Sequence, residues 1–448
     1  MKFAKLSIAA IAVLGFSGSV MAFDLSNITV KPMAQVKLYY ETIATDADGS
    51  DLFSRTGGTL PAGSTQPVHP LSVGGASGQA LVSVGATGAF TKCFGYGLEY
   101  TMVDTLGLEN NLVSGVRMGS GIGHGPLDTQ HWASQAYITY TPCDSLLERT
   151  TFKIGRQYLD TPLAFTERWN IAPNSFDAAV LMNNDIANTT LVAAYVGKGN
   201  GQFVKVSNAD NFQPYVKEGA YAVGAITSLL DGSIPISVWG YDVVNVAQAL
   251  WADAGYKAKF GDVGLDIGAQ YAMITPDDDA NSYATSLGLV NPDDSSGFGV
   301  KVGTNLALAG MNFGLMAAYS SVDDDGVVAL GNTATIKAGT GMGKKTKLYT
   351  AAIYGDGTHV AIPGSDAFKV KASTKLDGIG KFIVQYVHNE NDVKPVLDMD
   401  EIDVILATKL PGGLGAKFIY MNRAYDNVNA DAVHNDADHV RVILSKKF

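Results

Sequence analysis

The feature that most constrains the fold is an alternation of apolar residues with small or polar ones, at a period of two. Every second residue from Leu250 to Phe260 is apolar, and the residues between them are mostly small or polar. The segment from Val263 to Met273 repeats the pattern after the two-residue turn Gly261-Asp262. This period predicts β-strands joined by a hairpin. Their length matches the roughly 9 to 11 residues of a strand that crosses a bilayer at a tilt.

Composition separates a closed barrel from other folds. Only 17% of the 448 residues are charged, 50 are Gly and 2 are Cys, which argues against a disulfide-dense scaffold, a disordered chain and a basic nucleic-acid binder. After the N-terminus no apolar run reaches the length of a membrane helix, so the chain is either soluble or a transmembrane barrel. The alternative is a soluble antiparallel sandwich with one wet face. The long strands and many Gly residues favour the barrel.

The N-terminus has the layout of a secretory signal peptide. Lys2 and Lys5 precede an apolar stretch from Leu6 to Phe16, and Ala22 provides a small residue for cleavage. An apolar stretch of this length is too short to anchor the chain, since a spanning helix needs about 20 residues. We predict a leader over residues 1–22 and a barrel domain over 23–448. Cleavage of the leader removes Lys2 and Lys5 and changes the net charge from −11 to about −13.

The fold class predicted is therefore all-β, an antiparallel transmembrane β-barrel with 18 strands, short periplasmic turns and long extracellular loops. An even count is required if both ends of the chain lie in the periplasm. A nineteenth strand-like run, Lys347 to Tyr354, is assigned to a long polar loop because it would break that parity. A C-terminal Phe448 on an alternating strand is typical of outer-membrane barrels. The predicted strands are 33–43, 79–90, 95–104, 132–141, 150–157, 175–184, 189–197, 218–229, 233–244, 246–260, 262–275, 296–309, 311–322, 366–376, 380–391, 399–410, 414–426 and 438–448.

A block of short motifs lies in the first half of the chain. Gly155-Arg156-Gln157 is followed by Asp160-Thr161-Pro162-Leu163, Pro173-Asn174-Ser175-Phe176, Asn184-Asp185-Ile186 and Thr189-Thr190-Leu191. This order resembles the Opr/OprD superfamily of Gram-negative outer-membrane porins, and the layout looks closest to the major porins of epsilonproteobacteria. The resemblance implies an 18-stranded barrel. It also implies that the third loop, residues 158–175, folds into the lumen and narrows it.

The same resemblance suggests residues for the constriction. Basic residues would line one wall opposite acidic groups of the loop, with Arg156 and Arg168 in the first role and Asp160, Glu167 and Asp177 in the second. The alternation phase of Arg156 is that of Phe152 and Ile154, which points outward, and a bulge at Gly155 would turn it inward. The alternative is that some of these charges are structural pairs that hold the loop.

Further basic residues share the inward phase of the predicted strands. The last strand pairs with the first when a barrel closes. Lys417, Arg441 and Lys37 therefore fall on three neighbouring strands. Opposed charged walls would orient dipolar solutes, and the negative net charge suggests a mild preference for cations. The inward-phase cations predicted to line the pore are Lys37, Lys369, Lys371, Lys417, Arg423 and Arg441.

The two cysteines, Cys93 and Cys143, fall in consecutive periplasmic turns of this strand order. The periplasm is oxidising, so we predict a Cys93–Cys143 disulfide; two free or differently paired thiols are the alternative. Acidic loop tips at 46–51, 277–279, 293–294 and 323–325 are expected to be solvated charge. A structural Ca²⁺ there, or divalent ions that bridge to lipopolysaccharide, is the weaker reading. We predict no other cofactor.

No catalytic motif of a hydrolase or a zinc enzyme occurs in the sequence, so we predict no enzyme. The leading hypothesis is a water-filled porin in the outer membrane of a Gram-negative bacterium, for passive diffusion of ions and small hydrophilic solutes. A channel selective for amino acids or small carboxylates is the second. A surface barrel with adhesive or structural loops is the third. The expected partners are outer-membrane lipid, lipopolysaccharide, small solutes and, as a candidate assembly, a homotrimer.

Overall fold

The fold is taken from a computed structural model of the chain. It describes residues 28–46, 49–54, 75–107, 115–118, 121–124, 129–143, 147–200, 211–214, 218–277, 294–308, 310–326, 328–332, 345–426 and 435–448. The predicted leader, residues 1–22, lies outside the described residues, as do parts of the acidic tips.

Eighteen strands form the wall of the molecule. They are β1 (Thr29–Thr45), β2 (Gly75–Ala89), β3 (Phe94–Asp104), β4 (Gln130–Tyr140), β5 (Thr150–Gln157), β6 (Phe176–Asn183), β7 (Thr189–Gly199), β8 (Ala220–Leu229), β9 (Ile234–Val243), β10 (Ala247–Phe260), β11 (Val263–Pro276), β12 (Ser295–Leu308), β13 (Met311–Val322), β14 (Ser365–Leu376), β15 (Gly380–Asn391), β16 (Met399–Leu410), β17 (Leu414–Tyr425) and β18 (Ala437–Lys447).

Short elements accompany this wall. They are the two-stranded ladder of Gly115–Met118 with Gly121–His124, the two-residue strand Gln213–Pro214, and the 3₁₀ turns Pro395–Leu397 and Pro411–Gly413. Among the described residues no helix has the length and apolar character needed to cross a membrane.

The wall is a closed antiparallel barrel. Each strand pairs with its neighbour along the chain, and β18 pairs with β1 from Gln35↔Lys447 to Thr45↔Ala437, which closes the ring. The predicted barrel of 18 strands is confirmed, and most predicted bounds agree with the structure within one or two residues. The largest differences are in β1 and β2, which begin at Thr29 and Gly75 rather than near 33 and 79. Both are longer because they pair with each other along their whole length.

The two faces of the wall differ in chemistry as the alternation predicts. In β12, Phe298, Val300 and Val302 are 45%, 43% and 50% exposed on the outer face. Lys301 lies between them and points to the other face, where its Nζ contacts Asp266 Oδ2 of β11 at 2.8 Å. An apolar exterior and a polar interior are typical of a barrel that is surrounded by lipid.

The turns and loops divide between the two ends of the barrel. The short-turn end carries connections such as Gly261-Asp262 and 377–379, and the long-loop end carries the longer segments. At the short-turn end, a disulfide joins Cys93 to Cys143 across the β2–β3 and β4–β5 turns. The Thr141 N–H also donates to the Cys93 carbonyl at 2.9 Å. These two turns are therefore held together by both a covalent and a hydrogen bond.

Candidate functional site

The third loop (158–175) starts inside the barrel because β5 and β6, which flank it, have only eight residues each. Its C-terminal half lies against β1 to β4. The Lys37 Nζ of β1 donates a hydrogen bond to the Asn170 carbonyl. Ile171 and Ala172 pack in one apolar cluster with Tyr39 of β1 and Trp132 of β4. The inward-phase Lys37 is thus bound to the loop backbone.

The middle of the third loop reaches the other side of the barrel. The Leu163 N–H donates to the Tyr241 hydroxyl of β9 at 3.3 Å. Leu163 is buried in a cluster with Trp239 of β9 and Trp251 of β10. A loop that contacts both β1 and β9 crosses the interior, since these strands lie on either side of β5 and β6 in the ring. The third loop therefore narrows the space enclosed by the wall.

A second loop also enters the barrel. The described part of the seventh loop (323–364) packs on the inner face of the wall, with Val360 and Ala361 fully buried. Gln270 of β11 donates to the Lys347 carbonyl and accepts from the Tyr349 N–H, both at 3.0 Å. The Lys369 Nζ of β14 donates to the Ala351 carbonyl. The sequence predicted a polar outer loop here, and the structure differs because the segment 345–364 carries enough apolar residues to be buried.

Glu401 of β16 anchors the seventh loop through its carboxylate. Oε1 accepts hydrogen bonds from the Ile353 N–H at 3.0 Å and the Tyr354 N–H at 2.9 Å, and Oε2 accepts one from the Gly355 N–H. The side chain is 1% exposed. A buried carboxyl group that accepts from three backbone N–H groups is a directional anchor, because each buried donor would cost about 1 to 3 kcal/mol if it were left without a partner.

The third and seventh loops meet at Asn332. Its Oδ1 accepts from the Phe165 N–H at 3.0 Å, and its Nδ2 donates to the Phe165 carbonyl and to Glu167 Oε1, both at 2.8 Å. Trp169 Nε1 donates to Glu167 Oε2 at 2.7 Å. Burial raises the pKa of Glu167 to about 7, against the lowering effects of these donors and of nearby Lys345. Glu167 is therefore part of a buried junction of two loops.

Ion pairs reinforce the junction. Lys347 Nζ lies 2.8 Å from Asp160 Oδ1, which links the seventh loop to the third. Lys345 contacts the Asp356 carboxylate within the seventh loop, and its Nζ lies 5.3 Å from the centre of the Trp169 ring. Burial raises the pKa of Asp356 despite this partner. Asp160, a predicted constriction residue, is thus exposed but paired with a cation.

Arg156 and Asp177 form a direct ion pair on adjacent strands. Arg156 Nε and Nη2 donate to Asp177 Oδ1 and Oδ2 at 2.8 and 3.2 Å, and the guanidinium lies 3.2 Å from the centre of the Phe212 ring. Strand pairing continues in register through Gly155 on both sides, so the suggested bulge at Gly155 is not seen there. These two residues neutralise each other instead of facing each other across the interior. Their pore-lining role stays a prediction.

Arg168 is the exposed cation of the third loop. Its guanidinium lies 5.4 Å from the centre of the Tyr158 ring, and Nη1 donates to the Thr166 carbonyl at 3.3 Å. The Tyr158 hydroxyl in turn donates to Glu99 Oε2 of β3 at 2.9 Å. Burial and nearby Glu99 raise the pKa of Tyr158. Arg168 therefore places a positive charge inside the barrel. Its guanidinium lies near Tyr158, which the wall residue Glu99 holds in place.

Two other predicted cations are buried in a polar cluster. Arg441 Nε of β18 donates to Glu41 Oε1 of β1 at 2.6 Å, and His439 Nδ1 lies 3.3 Å from the same oxygen. The Arg423 guanidinium of β17 lies 4.1 Å from the centre of the Tyr354 ring in the seventh loop. Arg423 and Arg441 are 1% and 4% exposed. Arg441 thus contacts the wall and Arg423 the docked loop, and the pore-lining role of both residues stays a prediction.

Lys371 and Lys417 differ from these buried groups because their side chains reach open space. Lys371 of β14 is half-buried and Lys417 of β17 is exposed. Within the described residues neither forms an ion pair or a hydrogen bond. They lie on the same arc of the wall, β14 to β18, as Lys369 and Arg441. This arc therefore presents uncompensated positive charge to the interior.

The acidic tips show no metal site in the part of the chain that the structure describes, where no three His, Cys, Asp or Glu side chains come together as ligands. Asp48, Asp278, Asp279 and Asp293 lie outside the described residues. Ca²⁺ at these tips stays a prediction.

Sequence reasoning missed the residues that join the loops. Asn332 lies outside every motif, and its role depends on a contact with Phe165, 167 positions away. The docking of 345–364 had a sequence signal, since Leu348, Tyr349 and Tyr354 give this segment an apolar character unlike a solvated loop. Glu401 has the inward phase of its strand, but the sequence does not reveal its backbone partners.

Comparisons with known proteins identify the fold. No protein-family model matches the chain, and no curated protein sequence matches it. Solved structures from Pseudomonas aeruginosa do match. OccK9 (OpdG) has a TM-score of 0.68 at 13% identity, and OccK8 (OprE) has 0.68 at 14%. OpdK with vanillate has 0.63 at 12%. Each alignment covers 94% of this chain and 98% of the other.

Proposed function

We propose that this chain is an outer-membrane porin of a Gram-negative bacterium, a water-filled channel for passive diffusion of ions and small hydrophilic solutes. The observation that carries the proposal is the closed barrel of 18 strands, with an apolar exterior and a polar interior narrowed by two loops. Barrels of this strand number enclose a lumen, and the charges on its wall set selectivity. The similar Occ structures have the same fold.

Single-channel recording in planar bilayers tests the proposal. Purified chain refolded in detergent should insert and conduct in discrete steps, and vesicles that contain it should swell in small sugars with a size cutoff. Absence of conductance from a folded barrel would contradict the proposal and favour a surface barrel with adhesive or structural loops.

A second candidate, a channel selective for small carboxylates or amino acids, is favoured by the basic arc of the wall. Lys371, Lys417 and Arg168 present positive charge to the interior, whereas Glu41, Glu401 and Glu167 are buried in hydrogen bonds. OpdK, one of the similar proteins, was crystallised with vanillate, a carboxylate. A swelling series with solutes of equal size separates the candidates, because a general porin would pass neutral and carboxylate solutes alike.

Ion preference follows from the same charges. The net charge of the chain suggested a mild cation preference. Among the described residues, however, Lys371, Lys417 and Arg168 have no ion-pair partner, whereas the interior acids Asp160 and Asp266 pair with Lys347 and Lys301, and this balance favours anions. The reversal potential in a salt gradient decides between them, since its sign directly reports the preferred ion.

Membership of the Opr/OprD superfamily, with closeness to epsilonproteobacterial porins, is part of the proposal, as is removal of a leader over 1–22. Mass spectrometry of the exported protein would show a first residue at Phe23. Lipopolysaccharide and a homotrimeric assembly are proposed partners, and native mass spectrometry in mild detergent would give the subunit number. A structural Ca²⁺ predicts that EDTA lowers the unfolding midpoint.

A further inference from the structure

The short-turn end of the barrel contains a cavity, and no described residue of the third or seventh loop lines it. Its volume is about 760 Å³, and it is lined by residues of β12 to β16. Three lysines line it: Lys375 of β14, Lys381 of β15 and Lys409 of β16. Each lysine points inward from its strand. On β14, for example, Lys375 alternates with the apolar residues Phe368 and Val370, which are exposed on the outer face. The cavity therefore opens to the interior.

Two of these lysines are directly opposite each other. Lys375 and Lys381 are paired residues in the β14–β15 ladder, two positions from the turn. Like charges directly opposite on adjacent strands destabilise a sheet. Within the described residues, none of the three lysines has an ion pair or a hydrogen bond. A wall that holds three uncompensated cations together gains stability when an anion binds between them.

The remaining lining groups fit an anionic ligand. Asn305, Asn312 and Ser373 add amide and hydroxyl donors, and no Asp or Glu lines the cavity. Asp403 lies further along β16 and also points inward, but it does not line the cavity. Its carboxyl group is buried and accepts a hydrogen bond from Gln385 Nε2 at 2.6 Å. Gly314 keeps this side of the cavity open, since a Cβ there would lie 2.9 Å from Ser373 Oγ.

We propose that this cavity is a binding site for small anions that carry two or more negative charges, such as polycarboxylates or phosphate. The site lies beyond the infolded loops, at the periplasmic end of the channel under the function proposed above, on which this inference rests. Several ammonium groups around one cavity favour a multivalent anion over a monovalent one, because each charge on the ligand can contact its own lysine.

Citrate and acetate are the probes, added to the short-turn side of a single channel in a planar bilayer. Citrate should reduce the open-channel current at a concentration at which acetate has no effect. In the double variant Lys375→Gln/Lys381→Gln, the citrate concentration for half effect should rise at least tenfold. The matched control is Lys257→Gln/Lys259→Gln, two exposed lysines of β10 near the same end but outside the cavity. It should shift that concentration less than twofold.

Two results would overturn the site: an equal citrate effect in both double variants, or an acetate effect equal to that of citrate. Calorimetric titration of citrate into the detergent-solubilised chain separates this inference from the channel function. Binding that the first double variant loses, in a chain that does not conduct, would support the site and reject the porin. Conductance without citrate binding would support the porin and reject the anion site. The single variant Lys409→Gln, which leaves the β14–β15 ladder unchanged, gives the same comparison if the double variant fails to fold.

Discussion

Asn332 donates a hydrogen bond to Glu167 at 2.8 Å, and this contact joins two loops that enter the barrel from different parts of its rim. The same side chain makes both a donor and an acceptor bond with the Phe165 backbone. Asn332 is fully buried, so these bonds are shielded from solvent in the folded chain. The position of the third loop thus depends on a residue of the seventh.

Replacement of Asn332 by Ala should loosen this junction. It leaves the Phe165 backbone groups and Glu167 without their partner, at a cost of about 1 to 3 kcal/mol for buried polar groups. Amide hydrogen exchange over 158–175 should accelerate by about tenfold or more, and single-channel current should become noisier. Gln248→Ala, which removes an exposed amide of β10, serves as the control. Unchanged exchange in Asn332→Ala would show that the loop is held elsewhere.

The junction should also respond to pH through Glu167. Burial raises the pKa of this carboxyl to about 7 from an ordinary value of 4.5, so the neutral form is favoured in the folded junction. Below about pH 4.5 Glu167 is neutral in both the folded and the unfolded chain and does not reduce the free energy of unfolding. As the pH rises from 4.5 towards 7, the unfolded chain ionises first, and the free energy of unfolding falls by at most about 3 kcal/mol. Lys345 and the nearby buried Asp356 contribute to the same local field.

Hydrogen exchange measures this dependence once the intrinsic effect of pH on exchange is removed. Protection of residues 158–175 should fall between pH 5 and pH 8 in the natural chain. Glu167→Gln keeps an acceptor for Trp169 but cannot ionise, so its protection should be independent of pH. A parallel decline in both proteins would mean that another group titrates.

Glu401→Ala should release the seventh loop from the wall. The variant removes the shared acceptor of three backbone N–H groups at 353–355, and only the Ile353 N–H keeps a second acceptor, Asp403 Oδ2 at 3.4 Å. We expect a larger single-channel conductance and faster proteolysis within 345–364, because the loop no longer occupies the lumen. Glu401→Gln retains one acceptor oxygen and should lie between the variant and the natural chain.

The control for this experiment is Glu390→Ala, since Glu390 is an exposed carboxylate of β15. It should conduct like the natural chain. If Glu401→Ala and the natural chain had equal conductance, the seventh loop would not limit ion flow.

The Cys93–Cys143 bond should be detectable by mass and by stability. Alkylation without reduction should add nothing, and reduction followed by alkylation should add two adducts. The bond closes a segment with a sequence separation of 50, so its loss in Cys93→Ser/Cys143→Ser should cost about 2 to 4 kcal/mol. A denaturant titration that shows the same midpoint for both chains would rule out a stabilising role.

The wall was predictable because its chemistry repeats at every strand. An apolar residue at each second position is needed on the outer face and a small or polar one on the inner face, so a segment such as 262–275 indicates its own structure. The turns also have local signals, since Gly261 adopts a φ of +61, which Gly tolerates well. Strand count and most strand bounds followed from these local rules.

The interior could not be predicted to the same degree, because its contacts join distant residues with no shared period. Arg156 and Asp177 were assigned to opposed sides on the basis of a family resemblance, and the register instead pairs them directly. Lys37 and Arg441 were assigned to the lumen by phase, but phase does not show that one binds a loop carbonyl and the other a buried glutamate. Those outcomes depend on where the loops pack.

The third loop has a mechanical consequence that follows from its two attachments. It is tied to β1 through Lys37 and to β9 through Tyr241, and β1 and β9 lie eight strands apart in a ring of eighteen. A hollow cylinder under lateral pressure flattens most easily into an ellipse. A segment that is fixed to the wall at two distant points of the circumference resists that deformation. The third loop, which narrows the opening, therefore also keeps the cross-section of the barrel round.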